Sequence, residues 1–284
     1  MSYNRLIIGC GYLGSRAARA WQEQGLSVAV TTRSEERAEE FANQGLQPIV
    51  CNVLDPSSLQ GLPDADVALH AVGLDRQAGD SMRAVYVEGL RDVLTELEQR
   101  IGRMVYISST SVYGQTDGSA VDEESVCEPA RENGQICLEA EQLVLNAKCQ
   151  GTVLRLAGIY GPDRLLARMK ERQQAEPIAG NPEAWLNLIH VEDAVQAVLA
   201  ASVNDLSHQK YLIVDDEPIT RRTYYTRLAE LLEAPPPVFI ADKPDPKGDR
   251  GLNKRCQNQW MHAELIPSLK YPTIREGLWQ AIGK

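Results

Sequence analysis

The chain has no apolar run near the roughly 18 residues a membrane span requires, no Cys-x-x-Cys pair, and no cysteine and histidine cluster at metal-ligand spacing. Its six cysteines, at positions 10, 51, 127, 137, 149 and 256, are scattered, which reads as a set of reduced thiols. An excess of positive charge is also missing. The net charge is −10 and the pI near 5.0, so nucleic acid and acidic membrane surfaces are disfavoured as partners, because binding phosphate needs a basic surface. No internal repeat or low-complexity tract occurs. The first apolar run begins so close to Met1 that no signal peptide fits before it, and the expectation is a cytoplasmic protein.

What is present is ordinary for a globular chain: 284 residues, 43% hydrophobic and 24% charged. That length allows one large domain or a domain with a smaller companion. Short apolar bursts recur at 6–8, 28–30, 48–51, 67–71, 104–107 and 153–156. Strands buried on both faces read this way, and their alternation with helical stretches implies a parallel sheet with right-handed crossovers. The expectation is a doubly wound α/β fold of the Rossmann type. Its helices are placed at Leu13 to Gln24, Ser34 to Gln44 closed by Gly45, about Gly79 to Arg100, and Glu132 to Cys149 closed by Gly151. After Gly161-Pro162 the alternation fades, and a proline-rich stretch from Pro235 to Pro246 follows a helix at Thr220 to Glu233. The expected division is a dinucleotide-binding domain over 1–162, with 186–204 packing back on it, and a smaller, discontinuous substrate-side region over 163–185 and 205–284.

The strongest local signal is Leu6-Ile7-Ile8 followed by Gly9-Cys10-Gly11-Tyr12-Leu13-Gly14, an alanine-rich helix and a second strand ending in Thr31-Thr32-Arg33-Ser34. A strand, a G-x-G-x-x-G turn, a helix and a strand in that order describe half of a dinucleotide-binding fold. Gly9 permits the tight turn, Gly11 lets backbone N–H groups approach a pyrophosphate, and Gly14 lets the helix pack on the strand.

Several further phrases stand in order: Val53-Leu54-Asp55, His70-Ala71-Val72-Gly73, Ser108-Ser109-Thr110-Ser111-Val112-Tyr113-Gly114, Leu154-Arg155-Leu156, Ile159-Tyr160-Gly161-Pro162 and Ile189-His190-Val191-Glu192-Asp193. With the glycine turn, this set resembles the extended short-chain dehydrogenase/reductases, the sugar-nucleotide epimerase and dehydratase type, and most of all their atypical members. The resemblance spans nearly the whole chain. It implies NAD(P) bound by Gly9, Gly11, Tyr12, Leu13, Gly14, Arg33, Ser34, Asn52, Val53 and Ala71, an unidentified carbonyl or hydroxyl substrate, and a homodimer through the helices near 79–100 and 132–149. An acidic residue ending the second strand would favour NAD. This chain offers Arg33 there, so NADP is expected. Asn52 could hydrogen-bond the adenine or serve as a turn residue.

The resemblance also implies catalysis by a tyrosine and a lysine four residues apart on the helix after the fifth strand, beside a serine at the strand's end. Ser109 takes the serine position. Asn133 falls on the tyrosine position and Cys137 on the lysine position, so the acid/base pair is absent. Tyr86 stands where many relatives carry asparagine. Tyr113 is the candidate replacement for the tyrosine, or else packs beneath the cofactor. Two functions follow: a reductase, epimerase or dehydratase with an atypical site, or a non-catalytic NADP(H) sensor.

Overall fold

The computed structural model describes residues 2–97, 99–203, 205–240 and 253–283. The chain divides into two compact units: one of residues 1–112, 129–155 and 195–211, the other of 113–128, 156–194 and 212–284. The sequence reading kept 113–128 and 156–162 with the nucleotide side; this division groups them with the second unit and runs through the helix Val191–Ala201 between Ala194 and Val195.

The six apolar bursts lie in a seven-stranded sheet of β1 Ser2–Ile8, β2 Val28–Thr32, β3 Gln47–Val50, β4 Asp64–His70, β5 Ile101–Ser109, β6 Gln150–Leu156 and β7 Lys210–Ile213; the last strand, from the stretch expected on the substrate side, is not among the bursts. Its spatial order is β7-β6-β5-β4-β1-β2-β3. β1 pairs in parallel with β2 and β4, β2 with β3, and β4 with β5. The order reverses at β1, so the carboxyl ends of β1 and β4 border the switch point where ligands of such sheets bind. The first unit's core comprises residues such as Leu6, Ala29, Ala68, Met104 and Val153 from the strands, with Leu90, Val93, Ile136 and Ala140 from the helices, all nearly inaccessible.

The connecting helices are α1 Tyr12–Glu23, α2 Glu35–Asn43, the single turn α3 Pro56–Leu59, α4 Gly89–Leu97 and α5 Glu132–Leu145. Two expectations need correction. The long helix placed from Gly79 begins only after Ser81, whose Oγ accepts from Ala84 N at 3.0 Å, and a π-helical turn over Ala84–Glu88 precedes α4. Gly79, at φ +80, lies in the preceding loop. Gly151 does not cap α5, which stops at Leu145; it stands in β6, where a Cβ would come within 2.4 Å of Val144 O, so the last turn of α5 lies directly on the strand. Ser34 does cap α2, accepting from Arg37 N at 3.3 Å, and Gly45 follows it at φ +78.

The second unit has its own core of Tyr160, Leu165, Leu188, Ile219, Tyr224, Leu228, Ile274 and Leu278. Strand 158–160 pairs in parallel with 188–190. The helix Arg221–Leu231 is capped by Thr220, whose hydroxyl accepts from Thr223 N. Of the proline-rich stretch, Phe239–Ile240 forms a short strand beside Ile178–Ala179, and Pro244 and Pro246 lie outside the described residues. Among the described residues no helix is long and apolar enough to cross a membrane, and no cluster of histidine, cysteine, aspartate and glutamate could hold a metal ion.

Candidate functional site

A cavity of about 380 Å³ opens within the first unit at the carboxyl ends of β1, β2 and β4. Gly9, Gly11, Arg33, Ser34, Asn52, Val53 and Ala71 line it; Tyr12, Leu13 and Gly14, also expected at the cofactor, do not. Gly14 acts from behind: a Cβ there would sit 2.6 Å from Gly9 O. Gly9 has φ +91, and a Cβ on it would meet the backbone of Val72 at 2.6 Å, so only glycine fits. Gly11 differs. Nothing lies within 4 Å of the place its Cβ would take.

That contrast tests whether the residues present fit a dinucleotide. Packing within the protein accounts for Gly9 and Gly14, whereas Gly11 lines the cavity with no protein atom near the place of a Cβ. Gly11 is also the N-cap of α1, with no side chain bonded to the helix's first N–H groups and no acidic residue in its first turn. A helix start without a side-chain cap, carrying the partial positive charge of the helix N-terminus, suits a diphosphate. The residues fit the group.

At the end of β2 the cavity is lined by two guanidiniums, Arg33 and Arg37. Arg33 is half exposed and pairs with Asp75 at 2.8 Å. Arg37, which the sequence reading missed, donates to Cys10 O at 3.1 Å and lies over the Phe41 ring. Its position is a consequence of the Ser34 cap, which starts α2 so that residue 37 completes the first turn beside the glycine loop. Hydrogen bonds to Gln77 N and Arg33 hold the Asp75 carboxyl below its ordinary pKa. Asn52 acts as a turn residue, with Oδ1 accepting from Leu54 N at 3.1 Å. Burial pushes the Cys10 thiol up to about 12, against the opposing pull of Arg37, so this cavity-lining sulfur is a neutral thiol.

The loop after β4 is fixed by Tyr86, whose hydroxyl accepts from Leu74 N at 3.1 Å. His70, at the end of β4, is 2% exposed, its Nε2 has no partner, and burial lowers its pKa to about 4. It is a neutral ring tilted against Tyr106 at 5.5 Å.

At the end of β5, Ser109 Oγ accepts from Ser111 N at 3.1 Å, and Ser111 Oγ bonds the Cys137 sulfur at 3.7 Å. Asn133 and Cys137 are one turn apart on α5. Burial, despite the Ser111 hydrogen bond, raises the Cys137 pKa, so the sulfur carries no charge at neutral pH. Gly134 brings α5 against this loop, since a Cβ there would lie 2.4 Å from Ser111 O. Tyr113, in the second unit, is fully buried, which matches a packing position better than an acid open to substrate. Its carbonyl accepts from Lys254 Nζ at 3.3 Å; Lys254 is itself 3% exposed, and burial lowers its pKa to about 8. No motif in the sequence marked this lysine. His190, in the same unit, bonds Gln280 Oε1 through Nε2 at 2.9 Å and accepts from Glu192 N, a structural role.

The family model "NAD dependent epimerase/dehydratase family" matches residues 6–213, from β1 through β7. The chain is 29% identical over 240 residues to Protein YeeZ of Escherichia coli K12, covering 82% of this chain and 85% of that protein. It is 28% identical over 239 residues to a 4-hydroxy-2-methyl-3-oxo-4-farnesyl-3,4-dihydroquinoline-1-oxide ketoreductase of Stigmatella aurantiaca, covering 78% and 71%. UDP-glucose 4-epimerase from Thermotoga maritima superposes with a TM-score of 0.82 at 18% identity, over 99% of this chain and 97% of that one, a likeness of fold. The chain belongs to the NAD-dependent epimerase/dehydratase family.

Proposed function

We propose that the first unit binds NADP(H) in the cavity at the glycine turn and that the protein is a reductase or epimerase acting on a small carbonyl or hydroxyl compound. The observation that carries this reading is the cavity's pairing of an open, uncapped helix start at Gly11 with two guanidiniums at the end of β2. The α1 N–H groups would hold the diphosphate. Arg33 and Arg37 would hold the 2′-phosphate, and a single net charge-assisted bond worth about 1.5–3 kcal/mol gives a preference of roughly ten- to a hundredfold over NAD(H). Gly9, Ala71 and Val53 would bound the adenosine side. When bound, the nicotinamide supplies or accepts hydride. The ketoreductase relative supports carbonyl chemistry as the reaction class.

Ser109 is the residue assigned to the substrate oxygen. Its Oγ accepts from Ser111 N, which leaves its own O–H free to donate. Fluorescence titration of NADPH and NADH tests the cofactor reading: NADPH is expected to bind at least tenfold more tightly, and equal affinities would refute it.

A second reading, an NADP(H) sensor without turnover, is favoured by one feature of α5. The family's tyrosine and lysine positions correspond by resemblance to Asn133 and Cys137, and neither an amide nor a buried neutral thiol can exchange a proton or hold a fixed positive charge there. The pair Asn133→Tyr with Cys137→Lys separates the readings. A rise of two to four orders of magnitude in NADPH oxidation over a panel of ketones would mean that the remaining site is competent and that the native chain is tuned away from turnover.

A further inference from the structure

Arg33 already has an anion. Its Nη2 lies 2.8 Å from Asp75 Oδ2, joining the end of β2 to the loop after β4 at the lining of the cavity. Asp75 is not a loosely placed side chain that met an arginine. Its Oδ1 accepts from Gln77 N at 3.0 Å and its carbonyl from Ala78 N at 3.2 Å, so a tight turn sets the carboxylate. The residue before it is anchored in turn, Leu74 N donating to the Tyr86 hydroxyl from the π-helical turn. The two partners are separated by 42 positions, and each is about half exposed. An exposed pair of this kind adds little to stability; its place at the cavity gives it another consequence.

We infer that Asp75 is a resident counter-ion that occupies Arg33 in the free protein and must yield when a 2′-phosphate enters, so that this carboxylate sets both the strength and the selectivity of dinucleotide binding. The inference rests on the proposed NADP(H) reading. Its physical basis is competition: a phosphate reaching Arg33 meets the Asp75 carboxylate at close range, and two like charges there repel across water. Arg37 is free of that competition, because its guanidinium donates to the neutral Cys10 carbonyl rather than to a carboxylate. Cofactor entry therefore divides the two cations, with Arg37 available at once and Arg33 only after exchange of partners. Ligands without the 2′-phosphate leave the Arg33–Asp75 bridge closed.

Asp75→Asn tests this. The amide oxygen can still accept from Gln77 N, so the turn is kept while the charge is removed. Calorimetric titration with NADP+ and NAD+, which differ only in the 2′-phosphate, is expected to show NADP+ binding about tenfold more tightly to Asp75→Asn than to the wild type, with NAD+ changed less than twofold. The gain should shrink as salt rises from 20 to about 500 mM. Unchanged or weakened NADP+ binding in the variant would overturn the inference, as would equal tightening of both nucleotides. If the wild-type protein itself does not distinguish NADP+ from NAD+, the failure lies in the cofactor reading beneath the inference. A wild type that prefers NADP+ beside an unresponsive variant defeats the role of Asp75 alone.

Discussion

Glu141 of α5 and Arg155 of β6 form an ion pair at 2.7 Å with side chains 0% and 2% exposed. Arg155 Nε reaches the same carboxylate at 3.0 and 3.2 Å, and Ser108 Oγ donates to it at 2.6 Å. One carboxylate thus ties α5 to β5, which ends in Ser109, and to β6. Charges buried this deeply are tolerable only as a set, because each would otherwise lose its hydration without compensation.

Removing one member should therefore cost far more than removing both. Glu141→Leu or Arg155→Met alone is expected to lower stability by about 3–5 kcal/mol, whereas the double variant should recover most of that loss. Urea denaturation of the four proteins measures it. Additive losses in the double variant would show that the pair's partners are not mutually dependent.

The glycine turn gives a second, opposed pair of outcomes. Gly9→Ala places a methyl 2.6 Å from the Val72 backbone at a φ of +91, and a loss of about 2–4 kcal/mol is expected from overpacking and strain. Gly11→Ala meets open space and should fold with stability within about 1 kcal/mol of the wild type. It should nevertheless lose at least tenfold in dinucleotide affinity, because the methyl occupies the approach to the α1 N–H groups. Thermal melting beside nucleotide titration separates the two effects.

Much of this was legible in the sequence, for physical reasons that can be named. The apolar bursts and the three glycines are local and short-range, so six strands of the sheet, α1 and the turn at Gly9 follow from spacing alone, whereas the short β7 does not. What spacing could not supply were pairings across the sheet. Asp75 reaches Arg33 from the loop after a different strand. Arg37 sits in a helix whose charged residues look uniformly solvated until α2 is set against the glycine loop. Gly151 resembles a helix stop, and its role appears only when β6 is seen pressed against Val144. Lys254 and Tyr113 meet across 141 positions. Tyr113, the candidate that chain proximity suggested for the acid, is fully buried, which spacing could not show.

His70 carries a pH signature. Burial lowers its folded pKa to about 4, below the roughly 6.5 of an exposed histidine, so between these values the unfolded chain binds the extra proton. The stabilisation is therefore complete above about pH 6.5 and lost as pH falls toward 4, a change of about 3 kcal/mol. His70→Phe, which keeps a ring against Tyr106, should flatten the stability profile over that window. An unaltered acid limb in the variant would mean that other groups govern it.

The proposed cofactor site holds a diphosphate at the start of α1, with a guanidinium on the neighbouring strand end answering the 2′-phosphate. Calorimetric titration of wild-type and Arg33→Asp protein with NADPH and NADH addresses it most directly. The wild type should bind NADPH at least tenfold more tightly than NADH, and Arg33→Asp should erase or invert that ratio while NADH affinity stays within about threefold. A folded wild type that takes up neither nucleotide, or an Arg33→Asp variant with its preference for NADPH intact, would contradict it.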